Sequence, residues 1–266
     1  MLTPSLSDQP ARRRPRSLRQ EYDEFILQRI EEYKEHLSRD ELLKLADEAV
    51  RELDVGAEGQ LVLTEVLVLD YVDRLIKKRL HLPSFRRWRE KHHRVRQAQR
   101  NPTHWGLPGD FPIDRLAGLT GDDDVALVIG ARSMHAALLL AAHDVNVLII
   151  DRDLSAIEAA ESRAASEALS SRFQGLVVQL GSWFPDVHPA VSVIDPHLAQ
   201  GLDDTTRARL FQTLRDQTPI GGVHVIARRT IDEKLPTRDM WKKWYAEWRT
   251  EVPTKGSKAW RLAWKK

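Results

Sequence analysis

The chain has no cysteine among its 266 residues, which excludes disulfides, thiolate metal sites and cysteine nucleophiles. No apolar run approaches the roughly 18 residues that a bilayer span requires. The opening stretch MLTPSLSDQPARRRPRSLRQ holds no apolar segment of the signal-peptide kind, so a soluble, cytoplasmic protein is the expectation. Neither a GxxxxGK[ST] phosphate loop nor a Ser/His/Asp nucleophile elbow is present. His92 and His93 have no carboxylate or cysteine at ligand spacing, so no metal site is expected. What is present is 42% hydrophobic and 30% charged residues at a mean hydropathy of −0.45, a globular composition.

Net charge is only +2, but its distribution is uneven. From Glu21 to Glu58 there are 13 acidic and 5 basic residues, whereas Arg74 to Arg100 carries 11 basic residues against the single acid Glu90. A second basic stretch, residues 228–266, has 12 basic and 5 acidic side chains. Such asymmetry suits either a polyanion surface or pairing between segments. Arg74 to Arg100, with Trp88, His92 and His93 interleaved, is therefore a candidate RNA surface, extended by the basic termini; its alternative role is to neutralise the acidic helices.

Residues 1–16 combine three prolines with four arginines and show no hydrophobic period, which predicts a disordered basic tail. Residues 17–106 read as a helical N-terminal domain. Tyr22, Phe25, Ile26, Ile30, Tyr33 and Leu37 mark one helix face. Ser38 with Glu41 has capping-box spacing and opens a second helix that Gly56 and Gly59 close. Residues 61–80 form a third helix and residues 84–100 a fourth, with a linker at Gly106-Leu107-Pro108-Gly109. Residues 107–266 form the second domain. Its short Val/Ile-rich runs at 125–129, 145–150, 176–180, 190–194 and 223–227 alternate with helical stretches at 135–142, 154–169 and 205–217. Doubly buried parallel strands in an α/β sheet follow from that alternation.

Ligands of such sheets bind beyond the carboxyl ends of the strands. The first run leads into Gly130-Ala131-Arg132-Ser133, and the second ends in Asp151, an acid 21 residues after Gly130 and placed to accept from two ribose hydroxyls. The third run leads to Gly181-Ser182-Trp183 and the fourth to Asp195-Pro196-His197. Asp151 alternatively caps the following helix, and Asp195-Pro196-His197 is alternatively a strand-end turn, so no catalytic base is assigned. Trp241, Trp244, Tyr245, Trp248, Trp260 and Trp264 read as core packing.

Over residues 113–266 the chain resembles the class I S-adenosylmethionine-dependent methyltransferases. Ala126-Leu127-Val128-Ile129-Gly130 resembles the family's first motif, and residues 147–155, VLIIDRDLS, resemble its second strand with the ribose-binding acid. Residues 205–223 resemble the helix and Pro-Gly-Gly turn before the fifth strand. Trp241 to Trp248 and Trp260 to Trp264 resemble the last helix and the closing strand. The resemblance implies a Rossmann-like sheet of seven mostly parallel strands with S-adenosylmethionine as cofactor. It would be held by Gly130, Ala131, Arg132, Asp151, Arg152, Ser182, Trp183 and Asp195, the last on the acceptor side. Val128, Arg132 and Met134 stand where the family has an acid and two glycines, and Ser182 stands for the acid that meets adenine. These departures leave a second reading, a methyltransferase-like scaffold that engages RNA or a protein through its basic helices. A nucleotide-binding oxidoreductase is disfavoured because the first turn lacks GxGxxG.

Overall fold

The computed structural model describes residues 17–56, 65–121, 124–195, 197, 202–227, 243–251 and 260–266. The tail 1–16, the expected helix start at 61–64, Gly59, Pro196 and Trp241 lie outside them. The chain forms two compact units, Met1–Arg94 and Val95–Lys266.

The first unit is helical: α1 (Leu18–Glu35), α2 (Arg39–Gly56), α3 (Glu65–Arg79) and the first part of α4 (Phe85–Gln99). Both α1 and α2 open with reciprocal caps. Ser17 Oγ accepts from the Gln20 N–H while Gln20 Oε1 accepts from the Ser17 N–H, and Ser38 and Glu41 make the equivalent pair. Ile30, Leu45, Ala49, Val72, Leu75 and Ile76 form the interior. Ion pairs join helices around it, Lys34 to Asp73 at 2.8 Å and Arg79 to Glu48, and His92 Nε2 lies 3.7 Å from a Glu21 carboxylate oxygen. Part of the basic segment is thus neutralised by the acidic one. The half-buried Trp88 packs on Tyr22, Phe25, Phe85 and His92 within this unit.

The division between units falls within α4, upstream of the glycine-rich segment at 106–109, for a packing reason. Gln99 is 1% exposed and donates to Glu167, Trp105 Nε1 donates to the Gln99 carbonyl, and Arg100 Nε donates to the Ala142 carbonyl. Residues 95–106 are therefore part of the second unit.

That unit is an α/β sandwich on a seven-stranded sheet ordered β3-β2-β1-β4-β5-β7-β6. The strands are β1 (Val125–Ile129), β2 (Asn146–Asp151), β3 (Phe173–Val177), β4 (Val191–Ile194), β5 (Val223–Ala227), β6 (Arg249–Glu251) and β7 (Trp260–Trp264). β1 to β5 pair in parallel, and β7 runs antiparallel to both β5 and β6. This is the Rossmann-like, mostly parallel seven-stranded sheet with an N-terminal helical region that the sequence implied. Successive β1 side chains enter opposite layers: Ala126 and Val128 pack with α6 (Met134–Ala142) and α7 (Leu154–Ser166), and Leu127 and Ile129 with α8 (Asp204–Gln217). Seven consecutive residues of α6, Ala136 to Ala142, are buried, so that helix is apolar on every side. Ile113 and Leu116 of the short α5 (Ile113–Ala117) close the same layer.

Two expectations shift. The third strand is Phe173–Val177, where the apolar run suggested 176–180. As the sheet's edge, β3 tolerates Gln174 on its surface and needs Gly175, because a Cβ there would stand 2.5 Å from Ile157 Cγ2 of α7. Glu161 Oε1 accepts the outward Gly175 N–H at 2.8 Å, which shields the edge. The expected helix at 241–248 is, among the described residues, helical only at Lys243 and Trp244 and then turns, with the Trp248 N–H donating to the Tyr245 carbonyl. Its aromatics nonetheless pack as expected: Trp244 stacks on Phe211 at 3.7 Å, and Tyr245 and Trp248 are buried.

Behind β5 lies a wholly buried polar chain. Thr218 Oγ1 donates to the Leu214 carbonyl, so toward His224 Nε2 at 2.8 Å it must accept. That places the ring proton on Nε2 and leaves Nδ1 to accept the Tyr245 hydroxyl at 2.8 Å. Burial, with Lys265 and Arg215 nearby, pushes the His224 pKa down to about 3, and burial raises that of Tyr245.

Candidate functional site

The site is built where β1, β2 and β4 end side by side. β1 and β2 are in register from Val125 opposite Asn146 to Ile129 opposite Ile150, and Ile129 also lies opposite Ile194 of β4. Gly130 and Asp195 therefore leave adjacent strands at the same level. Gly130 has φ +95, and a Cβ on it would stand 2.6 Å from Asp195 Cβ. Glycine is demanded twice, by backbone conformation and by the aspartate against it. The Gly130 N–H still reaches the Ile150 carbonyl at 2.9 Å, so the turn starts from an intact ladder.

Asp151 closes β2. Its Oδ2 accepts the Ala131 N–H at 2.6 Å and its Oδ1 the Asp153 N–H at 3.0 Å, so one carboxylate fixes the turn after β1 and the turn after β2. Its own carbonyl accepts the Val178 N–H at 2.8 Å, which brings in the chain leaving β3. Asp151 is not the cap of α7; that is Asp153, whose Oδ1 accepts from Ser155 N–H and Oγ. The Ser155 hydroxyl and backbone hold the Asp153 carboxyl below the usual range. With capping assigned elsewhere, Asp151 is left as a half-buried strand-end acid.

Asp195 is 6% exposed, accepts the His197 N–H at 2.9 Å on Oδ1 and sends its own N–H to the Ile129 carbonyl at 2.9 Å. Gly130, Ala131, Asp151 and Asp195 are thus drawn together by direct contacts. Arg132 and Arg152 flank them, each with an exposed side chain. Ser182 and Trp183 lie further along, because β3 ends three residues before the point the sequence suggested. Both are exposed, Trp183 by 56%. They follow a turn in which Gln179 O accepts the Ser182 N–H, and Gly181 at φ +94 fits against Thr206 of α8. The first exposed polar side chain past β3 is Gln179, which the misplaced strand concealed; Gln174 and Gly175 before it were the available signal of an edge strand.

An ionised carboxylate has about four acceptor sites. Asp151 uses two on backbone N–H groups, and the two that remain match the vicinal hydroxyls of a ribose. This acceptor pair suits a ligand with vicinal hydroxyls, such as a nucleoside. At the second glycine position of the resembled motif, Arg132 brings a long cation to the turn.

No family model and no curated protein matches the chain. Among solved structures it is similar to the glycopeptide N-methyltransferase MtfA complexed with S-adenosyl-L-homocysteine, at 13% identity over 56% of this chain and 85% of that one, TM-score 0.44. It is also similar to the N-methyltransferase NodS from Bradyrhizobium japonicum WM9, at 15% identity over 66% and 93% of the two chains, TM-score 0.44. A third similar structure, of SAM-dependent methyltransferases from Methanosarcina mazei, has 18% identity over 58% and 97%, TM-score 0.42.

Proposed function

We propose that the second unit binds S-adenosylmethionine across the carboxyl ends of β1, β2 and β4 and transfers its methyl group to an acceptor. The observation that carries this reading is the Asp151 carboxylate, tied to the Gly130-Ala131 turn and still holding two acceptor sites at the end of the second strand. In the reading, Asp151 holds the ribose, Ala131 and Arg132 line the turn, Arg152, Ser182 and Trp183 border the nucleoside, and Asp195 faces the acceptor side. The cofactor supplies an activated methyl group whose C–S electron pair leaves with sulfur as the acceptor atom bonds carbon. The protein's share is then alignment of acceptor and methyl in line. RNA is the acceptor class that the basic segments favour over a small molecule.

Arg132 and Met134, in place of glycines, favour the second reading, a scaffold of the same fold that has lost the cofactor. Titration calorimetry separates the two. The enzyme reading expects micromolar binding of S-adenosylmethionine and S-adenosylhomocysteine, weakened at least tenfold in Asp151→Asn while the thermal melt stays cooperative. Absence of binding by the unaltered chain gives the scaffold reading.

A further inference from the structure

The first unit carries a shallow, open cleft of about 490 Å³ lined by Arg74, Lys77, Lys78, His81, Leu82 and Arg87. Five of those six side chains are basic, and no acid lines it. Arg74, Lys77, Lys78 and His81 follow the spacing of one helix face over the last turns of α3. The chain then reverses: His81 takes a left-handed conformation at φ +49, and the Leu82 N–H caps the Lys77 carbonyl at 3.0 Å. That reversal is what sets Arg87, in the first turn of α4, opposite the basic face of α3.

Neighbouring carboxylates are spoken for. Asp73 pairs with Lys34, Glu48 with Arg79 and Glu90 with Arg86; among the described residues only Asp70 pairs with a lining residue, Arg74. Lys77 is held over the Tyr22 ring at 5.6 Å. Among the described residues, neither Lys78 nor Arg87 is in an ion pair, and both are exposed. Concentrating cations on one surface without matching acids costs self-repulsion, which a polyanion would relieve. Beyond the cleft, Arg87, Lys91 and Arg94 continue along α4 at helical spacing, all exposed, over about 10 Å at 1.5 Å per residue. That row is too long for one small anion and suits a strand of successive phosphates.

We propose that this cleft and the α4 row bind the phosphate backbone of single-stranded nucleic acid. The site reads charge spacing and not bases, since no Phe, Tyr or Trp lines it and the Trp88 ring is engaged by Tyr22 and Phe85. This goes beyond the methyl-transfer reading and does not depend on it.

The test is fluorescence anisotropy of a fluorescein-labelled oligouridylate with the full chain, over a range of salt concentrations. Lys78→Glu with Arg87→Glu is compared with Arg39→Glu with Lys44→Glu, which makes the same change in net charge at exposed positions of α2 outside the cleft. The cleft pair is expected to weaken binding at least tenfold and to reduce the slope of log affinity against log salt by about 1.4, for two lost contacts at about 0.7 each. The α2 pair is expected to leave both nearly unchanged. Lys78→Gln with Arg87→Gln is expected to weaken binding less than the charge reversal while its circular dichroism matches that of the unaltered chain. Equal loss from both charge-reversal pairs, no binding at all, or binding of inorganic triphosphate without the oligonucleotide would each overturn the proposal. Because calorimetry with S-adenosylhomocysteine reports on the other site, the two readings fail separately.

Discussion

The sheet unit buries unbroken runs of Val, Ile, Leu and Ala, with β1 and β4 almost without exposure and α6 apolar on all sides. The helical unit buries a thin stripe, Ile30, Leu45, Ala49, Val72, Leu75 and Ile76, with Tyr22 and Leu53 buried besides, and adds ion pairs and reciprocal caps. The contrast teaches where each unit can hold a ligand. A dry sheet fixes its loops rigidly enough for the Ala131 N–H to reach Asp151 at 2.6 Å and for Asp195 to pack directly against Gly130. A helical stripe leaves its outer faces to charge, and charge can only grip something equally charged and loosely defined.

The comparison can be sharpened by breaking the sheet unit first. Leu139→Ala removes a side chain with 0% exposure from the centre of α6, and should cost about 3–5 kcal/mol in denaturant unfolding. Gly130→Ala comes next. Its Cβ must displace Asp195 while the backbone stays left-handed, a cost of about 3 kcal/mol from strain and overpacking together. It should also abolish S-adenosylhomocysteine binding in calorimetry.

His224 makes the third test, through pH. Its folded pKa of about 3 lies below the unfolded value of 6.5, so the unfolded chain binds the proton more readily. The stability it contributes is full above pH 6.5 and falls as pH drops toward 3, with a loss of about 2 kcal/mol between pH 7 and pH 5. Chemical denaturation at those two pH values should show that slope, and His224→Gln should remove it. The smallest effect belongs to the helical unit. Glu48→Gln unties Arg79 at a surface where both partners are more than a third exposed, and should cost less than about 1 kcal/mol. A loss of several kcal/mol there would mean that the ion pairs, and not the apolar stripe, hold the helices.

The same contrast explains what the sequence disclosed. Strands buried on both faces read as apolar runs, so β1, β2, β4 and β5 were legible almost to the residue. β3 was not, because an edge strand relaxes the demand for apolar residues, and Val178 and Leu180, buried just past its end, extended the run falsely. In the helical unit the Ser38-Glu41 cap was visible as a spacing, and periodicity located all four helices among the described residues. At the site, Gly130 and Asp151 could be named from their spacing and strand ends. The use of Asp151 as a clamp on Ala131 could not, since it depends on how closely two turns approach, whereas the Asp153 cap is a local bond to Ser155 that the Asp153-Leu154-Ser155 spacing carried. The buried Thr218-His224-Tyr245 chain was equally invisible, because its members meet only through the fold.

The most direct measurement is a crystal structure of the chain with S-adenosylhomocysteine. The account predicts the ribose hydroxyls within hydrogen-bonding distance of Asp151, with the Ala131 N–H contact retained. Ligand bound elsewhere, or a ribose held by groups other than Asp151, would contradict it.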